Sequence, residues 1–149
     1  MEQVEFKVSA NPGMPLQPLN KVASGGELSR ISLAIQVATI RYGSTPTLVF
    51  DEVDVGIGGG VAEVVGQMLR TLGDSRQILC VTHLPQVAAQ AMHHLSVTKQ
   101  STRKETRTTI SHLRTDDRIE EIARMLGGVK ITQQTLAHAK EMVDMAASH

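Results

Sequence analysis

Aromatic side chains are nearly missing from these 149 residues: Phe6, Tyr42 and Phe50 are the whole supply. A protein that holds single-stranded nucleic acid by stacking each base on a ring has no platform here. Charge of one sign is missing too. Lys plus Arg and Asp plus Glu both total 15, so no global field draws the chain to a polyanion or an anionic membrane, and any DNA contact has to be local. A single cysteine, Cys80, excludes an internal disulfide and suits a reducing compartment. No apolar run approaches the roughly 20 residues that span a bilayer. The start, Met1-Glu2-Gln3-Val4-Glu5, lacks the basic and apolar pattern of a secretory signal. The expectation is a cytoplasmic protein with no membrane partner. One further absence matters most: no Lys follows a Gly anywhere, so the phosphate-cradling loop G-x-x-x-x-G-K-[ST] does not occur.

What is present suffices for one domain. With 41% hydrophobic residues, the chain can bury one core of ordinary size, and nothing demands a second. Val4, Phe6 and Val8 alternate with polar neighbours as in a half-buried strand, and the Pro- and Gly-containing stretch 11–18 reads as a loop. Ser24-x-x-Glu27 has capping-box spacing, and apolar residues from Leu28 to Ile40 surround most of the helix it would start, which predicts a largely buried helix. Leu48-Val49-Phe50 and Ile78-Leu79-Cys80-Val81 read as parallel strands covered on both faces. Between them, residues 61–72 have helical spacing and end at Gly73, completing a β-α-β unit. Pro85 opens a further helix through about Ala91. Leu95, Val97 and Ile110 lie in two Thr-rich runs, an antiparallel hairpin with Arg103, Lys104 and Arg107 near its tip. Ile119, Ile122, Ala123 and Leu126 form a helical stripe closed by Gly127-Gly128, and Thr132 caps a last helix carrying Leu136, Ala139 and Val143 inward.

The chemistry gathers at the strand ends. A carboxylate at the carboxyl end of a parallel strand sits in the crevice where α/β sheets bind ligands. Asp51 there can hold Mg²⁺, and Glu52, pointing the other way, can orient or deprotonate a water. The same pair can equally serve as an ordinary helix cap. His83, at the end of the neighbouring strand, can donate to a phosphate or simply begin a helix at the surface. Ser24, Gly25 and Gly26 offer backbone N–H groups and a hydroxyl at a helix N-terminus, which is an anion site as well as a cap. Gly56, Gly58, Gly59 and Gly60 do not make a dinucleotide fingerprint, because Val61 stands where the last glycine belongs. His93 and His94 lack the companions of a zinc site and read as a solvated helix end. The basic residues of the hairpin tip favour solubility over phosphate binding, and Met125, Met142 and Met145 read as core filler or an interface.

Read in order, Ser9-Ala10-Asn11-Pro12-Gly13, Ala23-Ser24-Gly25-Gly26-Glu27-Leu28-Ser29-Arg30, Phe50-Asp51-Glu52-Val53-Asp54-Val55-Gly56-Ile57-Gly58-Gly59, Val81-Thr82-His83-Leu84-Pro85-Gln86-Val87 and Ile122-Ala123-Arg124-Met125-Leu126-Gly127-Gly128 resemble the RecN family, SMC-like ATPases of bacterial DNA repair. The likeness runs along essentially the whole chain. It implies the C-terminal lobe of an ABC/SMC-type ATPase head: an α/β domain over residues 1–149, with a mainly parallel sheet, flanking helices and a small antiparallel hairpin. The N-terminal lobe with the phosphate loop, and the coiled coil, are not in these residues. By the same resemblance Ser24, Gly25, Gly26 and Glu27 are the signature that meets ATP bound by a second head. Asp51 is the Walker B carboxylate for Mg²⁺, Glu52 the catalytic base and His83 the switch histidine. Asp54, Gly56 and Gly58 lie in the D-loop region, where Gly58 replaces the usual Asp.

The implied cofactors are ATP and Mg²⁺, and the implied partners are the N-terminal head lobe, a second head in a homodimer, and DNA in the complete protein, at the bacterial nucleoid. The implied activity is ATP hydrolysis coupled to head engagement in double-strand break repair and recombination; without the phosphate loop, the chain by itself is half a site. Two other classes compete. One is a non-catalytic dimerisation or regulatory module that keeps the signature surface. The other, a piece of a transporter ATPase, is disfavoured by Glu27-Leu28-Ser29-Arg30 and the tail.

Overall fold

The computed structural model describes residues 5, 7–9, 13–18, 25–39, 45–101, 105–127 and 130–148. Val4, Phe6, Ser24, Arg103, Lys104 and Gly128, all used in the sequence reading, lie outside the described residues. The elements in chain order are β1 (Lys7–Val8), β2 (Gln17–Pro18), α1 (Gly25–Ala38), β3 (Thr47–Phe50), α2 (Gly59–Gly73), β4 (Gln77–Cys80), α3 (Pro85–Gln90), β5 (Leu95–Ser101), β6 (Thr106–His112), α4 (Thr115–Gly127) and α5 (Gln133–Ala147).

The expected β-α-β unit is present. β3 and β4 pair in parallel with Leu48 opposite Ile78 and Phe50 opposite Cys80, and the ladder continues as the N–H of Val81 donates to the carbonyl of Phe50 at 3.0 Å. The expected hairpin is present as well, with β5 and β6 antiparallel and Val97 opposite Ile110. A third small sheet pairs β1 with β2. Among the described residues each sheet has two strands, so the parallel part is a single pair flanked by helices.

Two packing expectations need correction. The parallel strands are covered on one face only. Leu48, Phe50, Ile78 and Cys80 point into the core, whereas Val49, Leu79 and Val81 are 68%, 46% and 62% exposed. An unbroken apolar run reads as a strand buried twice, but the pleat sends alternate residues to opposite sides, and among the described residues only one side meets helices. Helix α1, likewise, is not largely buried: Gly26 and Leu33 are its buried residues, and Leu28 and Ile35 are exposed.

Two apolar clusters hold the helices. The first joins Leu33 of α1, Phe50, Val53 and Ala62, Val65, Leu69 and Leu72 of α2 to Val87 of α3. The second joins Ala88 and Ala89 of α3 to Ile122, Ala123, Ala139 and Val143 of α4 and α5. The six-residue α3 therefore belongs to both. Its start is set by Pro85, whose fixed φ suits the first helical position. Its last carbonyls are met by two guanidiniums: Arg70 donates to the carbonyl of Gln90 at 2.9 Å and Arg118 to that of Ala89 at 2.7 Å. Cations suit this negative end of a helix. Burial, together with the nearby Arg70 charge, pushes the Arg118 group below its ordinary range. His94 is not the solvated residue expected of a helix end. It is half-buried, and burial and the Arg118 charge hold its imidazole below the usual value. Thr132 caps α5 as anticipated, its Oγ1 accepting from the N–H of Thr135 at 3.1 Å.

Close approach of α2 and α3 depends on Gly66. A Cβ there would lie 2.7 Å from Gln90 Cγ and 3.2 Å from the carbonyl oxygen of Gln86. Gly66→Leu is expected to destabilise the chain by about 1–3 kcal/mol, the usual cost of overpacking, read as a lower urea midpoint. An unchanged midpoint would show that the two helices are not held this tightly.

Cys80 supplies a second test. Burial first, then the charges of Asp54 and Asp51, push its thiol from 9.0 up to about 12. The thiolate is the reactive form, and a rise of this size leaves it on the order of 10³ rarer near pH 8. Iodoacetamide should accordingly label the folded chain very slowly at pH 8 and label it readily in urea. Equal rates in the two conditions would contradict the burial of this strand end.

Candidate active site

The site forms where β3 and β4 end and α1 begins. β3 stops at Phe50, which is buried, and the chain then emerges with Asp51 and Glu52 exposed. The next residues turn sharply: the N–H of Val55 donates to the carbonyl of Glu52 at 3.2 Å, and that of Ile57 to the carbonyl of Asp54 at 3.4 Å. Val53 anchors this turn from below, fully buried among Leu33, Phe50 and the apolar face of α2.

Within the turn Glu52 adopts φ 60°, the left-handed region, and is the one non-glycine residue to do so among those described. For an L-residue this conformation costs roughly 1–2 kcal/mol and persists where neighbours hold it. The restraints come from α1. Gly26 packs so closely on the turn that a Cβ would lie 3.1 Å from the carbonyl oxygens of both Glu52 and Val55. A Cβ on Gly25 would lie 2.5 Å from Glu52 Oε2. Arg30, one turn further along α1, donates through Nη1 to the carbonyl of Val55 at 2.8 Å and to that of Val53 at 3.4 Å. The glycine pair is thus occupied, within one chain, in seating the Asp51-Glu52 turn.

Asp51 uses one oxygen close to home, its Oδ1 accepting from the N–H of Glu52 at 2.9 Å. Among the described residues no three His, Cys, Asp or Glu side chains are placed together as a metal cage. A lone exposed carboxylate fits Mg²⁺, which keeps several waters and takes other oxygens from a substrate phosphate, and does not fit a protein-only site. Asp51 would be the protein ligand, and the ion would supply charge neutralisation between phosphate oxygens.

Asp54 is the buried charge of the site, 2% exposed. Its Oδ2 accepts from the Thr82 hydroxyl at 2.6 Å and from the N–H of His83 at 3.0 Å, and stands 3.3 Å from Nδ1 of His83. Thr82 Oγ1 in turn accepts from the N–H of Leu84 at 3.0 Å, at the threshold of α3. The His83 side chain remains 70% exposed, so its far edge faces solvent.

The residues anticipated from the sequence therefore fall into two connected groups. Gly25 and Gly26 meet the turn that carries Asp51 and Glu52, while Asp54 in the same turn meets His83. Gly56 closes the turn with φ 72°. Gly58 stands apart at the start of α2 with extended backbone and open space around it. Glu27 lies in the first turn of α1. Three contributions were missed: Arg30 as the clamp on the turn, Thr82 as the relay to α3, and the burial of Asp54. The first two carry no spacing signal. An Asp enclosed by Val53 and Val55 was the available hint for the third.

No protein-family model matches the chain. Over 142 residues it is 59% identical to the DNA repair protein RecN of Vibrio cholerae and 54% identical to that of Xylella fastidiosa, covering 95% of this chain and 26% of each relative. The RecN of Halalkalibacterium halodurans is 44% identical over 148 residues, or 99% of the chain and 26% of the relative. A solved structure from work on ATP-driven dimerization and DNA-stimulated activation of SMC ATPases superposes with a TM-score of 0.55 over 79% of this chain and 70% of its own, at 18% identity. The fold is accordingly that of the SMC ATPases, and the chain, which spans about a quarter of the length of these relatives, matches RecN proteins along 95–99% of its own length.

Proposed function

We propose that residues 1–149 form the C-terminal lobe of an ATPase head, one half of a composite ATP site that works in DNA double-strand break repair and recombination. The observation that supports this best is the convergence on one turn of Gly25-Gly26, Asp51, Glu52 and, through Asp54, His83. In this reading Glu52 is the general base for the attacking water, Asp51 the ligand of Mg²⁺ on the nucleotide, and His83 the group that senses the terminal phosphate. Ser24, Gly25, Gly26 and Glu27 face the nucleotide of a second head. The phosphate loop comes from an N-terminal lobe elsewhere in the complete protein, and DNA is that protein's partner in the bacterial nucleoid.

The left-handed backbone of Glu52 favours this reading over a regulatory module without turnover. Strain of this kind is retained where it aims a side chain, and a plain cap at a strand end needs none. The exposed apolar face of β3 and β4 is in keeping with a lobe that packs against further protein.

The missing phosphate loop makes the chain alone a weak ligand for Mg·ATP, with negligible turnover, because that loop supplies most triphosphate contacts. Calorimetric titration showing micromolar affinity, with hydrolysis abolished by Asp51→Asn, would sink the half-site reading. In the complete protein, Glu52→Gln is expected to keep ATP bound while slowing hydrolysis by on the order of 10²-fold or more. Parental hydrolysis by that variant would remove Glu52 from the base role.

The trans role of the signature is tested at Ser24. Ser24→Arg in the complete protein should block closure over the partner's nucleotide yet leave that subunit's own phosphate loop competent. Paired heads are isologous, so mixing this variant with one disabled in its phosphate loop confines both lesions to one of the two sites. Partial ATPase activity is expected to return in the mixture. If mixing restores nothing while wild-type subunits rescue each variant, the signature is only a helix cap.

A further inference from the structure

We propose that Asp54 is a positioning residue for His83: it fixes the tautomer of the imidazole, holding a proton on Nδ1 and turning Nε2 outward as a bare acceptor. Oδ2 of Asp54 already receives the Thr82 O–H at 2.6 Å and the His83 N–H at 3.0 Å, and two donors aimed at one oxygen are the surroundings of a carboxylate. A carboxylate only accepts. The ring nitrogen 3.3 Å from that oxygen stands in a charge contact with it, and hydrogen on that nitrogen is the favoured arrangement, because a lone pair set against the carboxylate would repel. Histidine free in water favours the other arrangement, with hydrogen on Nε2, so Asp54 reverses the intrinsic preference.

The surroundings allow little escape from that geometry. Asp54 is buried, and its turn is pinned by Val53 below and by Arg30 on the carbonyls of residues 53 and 55. His83 is tethered to the same oxygen through its own backbone N–H, which keeps its main chain beside the carboxylate and the ring within reach of it. The rest of the ring is open to solvent, the His83 side chain being 70% exposed.

The consequence is specific to the chemistry. Neutral His83 accepts a hydrogen bond at Nε2, from water or a hydroxyl. It donates to a phosphate oxygen only when both nitrogens are protonated, with Asp54 balancing the cation from inside. A histidine oriented in this way is no free-standing phosphate donor, and the catalytic weight of this statement rests on the nucleotide reading above.

The tautomer is readable without any nucleotide. In the 149-residue chain labelled with ¹⁵N-histidine, two-bond and three-bond correlations distinguish protonated from bare ring nitrogens, and His83→Gln assigns the signal. The expected result is hydrogen on Nδ1 and a bare Nε2 in the neutral ring, shifting toward hydrogen on Nε2 in Asp54→Asn. Hydrogen on Nε2 in the unaltered chain overturns the proposal. So does an unchanged tautomer in a folded Asp54→Asn, and the measurement on the unaltered chain decides the first point even where that variant fails to fold.

In the complete protein, Asp54→Asn is expected to lower kcat for ATP about 10-fold, the scale on which partners that orient a working histidine act, with KM little changed. Added to His83→Ala it should cost nothing more. Additive losses would make Asp54 a structural residue and overturn its action through His83. A complete protein with no ATPase activity at all would instead defeat the function proposed above, with the tautomer still decided by the spectra.

Discussion

A single buried carboxylate organises this molecule's working end. Taking Asp54 out of water costs several kcal/mol unless donors meet it, and those to its Oδ2 come from Thr82 and His83, 28 and 29 residues away. The bond is therefore a fastening between the turn after β3 and the exit from β4, two segments that the parallel ladder alone would leave adjacent but unaligned. Removing either side would orphan the other, at about 1–3 kcal/mol. Thr82 extends the fastening to the first turn of α3, and α3 is the element shared by both apolar clusters. The placement of His83 thus inherits the rigidity of the whole core.

The same turn is held from its other side by α1, and this changes what the two glycines are for. An N-terminal glycine pair is usually explained by backbone N–H groups left open for an anion. Here Gly26 is also required by contact, since two carbonyl oxygens of the Glu52 turn occupy the space a side chain would need. Arg30 spends its guanidinium on neighbouring carbonyls of that turn. Movement of α1, from whatever it docks against, would be felt directly at Glu52, whose left-handed backbone already lies above the minimum and would relax if the clamp loosened. Gly25, Gly26 and Arg30 of α1 and the Glu52 turn are mechanically one unit within this chain.

How much of this could be read from the residues divides along a physical line. Elements whose cause is local were legible: the apolar runs of β3 and β4, the helix between them, Pro85 opening α3, Thr132 capping α5, and Asp51-Glu52 at a strand end. Features that depend on what lies opposite were not. The sequence Leu48-Val49-Phe50 is apolar on both sides of the pleat, and only the structure says that Val49 faces outward. Helix α1 reads as buried all round for the same reason. Asp54 looked like one more residue in a glycine-rich loop, because its partners are distant in the chain, and the φ of Glu52 leaves no compositional mark at all.

The outward face of the parallel pair is apolar and exposed. Val49, Leu79 and Val81 sit on the pleat directly opposite Leu48, Phe50, Ile78 and Cys80, so one layer of the two-strand sheet is satisfied by helices and the other is bare. Parallel strands with apolar residues on both sides are characteristic of sheets covered twice, and a two-stranded sheet is marginal by itself. The site at the ends of these strands shares the asymmetry: it presents exposed Asp51 and Glu52 and the ring of His83, while no element among the described residues covers them from the other side. In the head proposed above, a further lobe packed on the open face would answer both at once, covering Val49, Leu79 and Val81 and bringing phosphate-binding backbone to the strand ends.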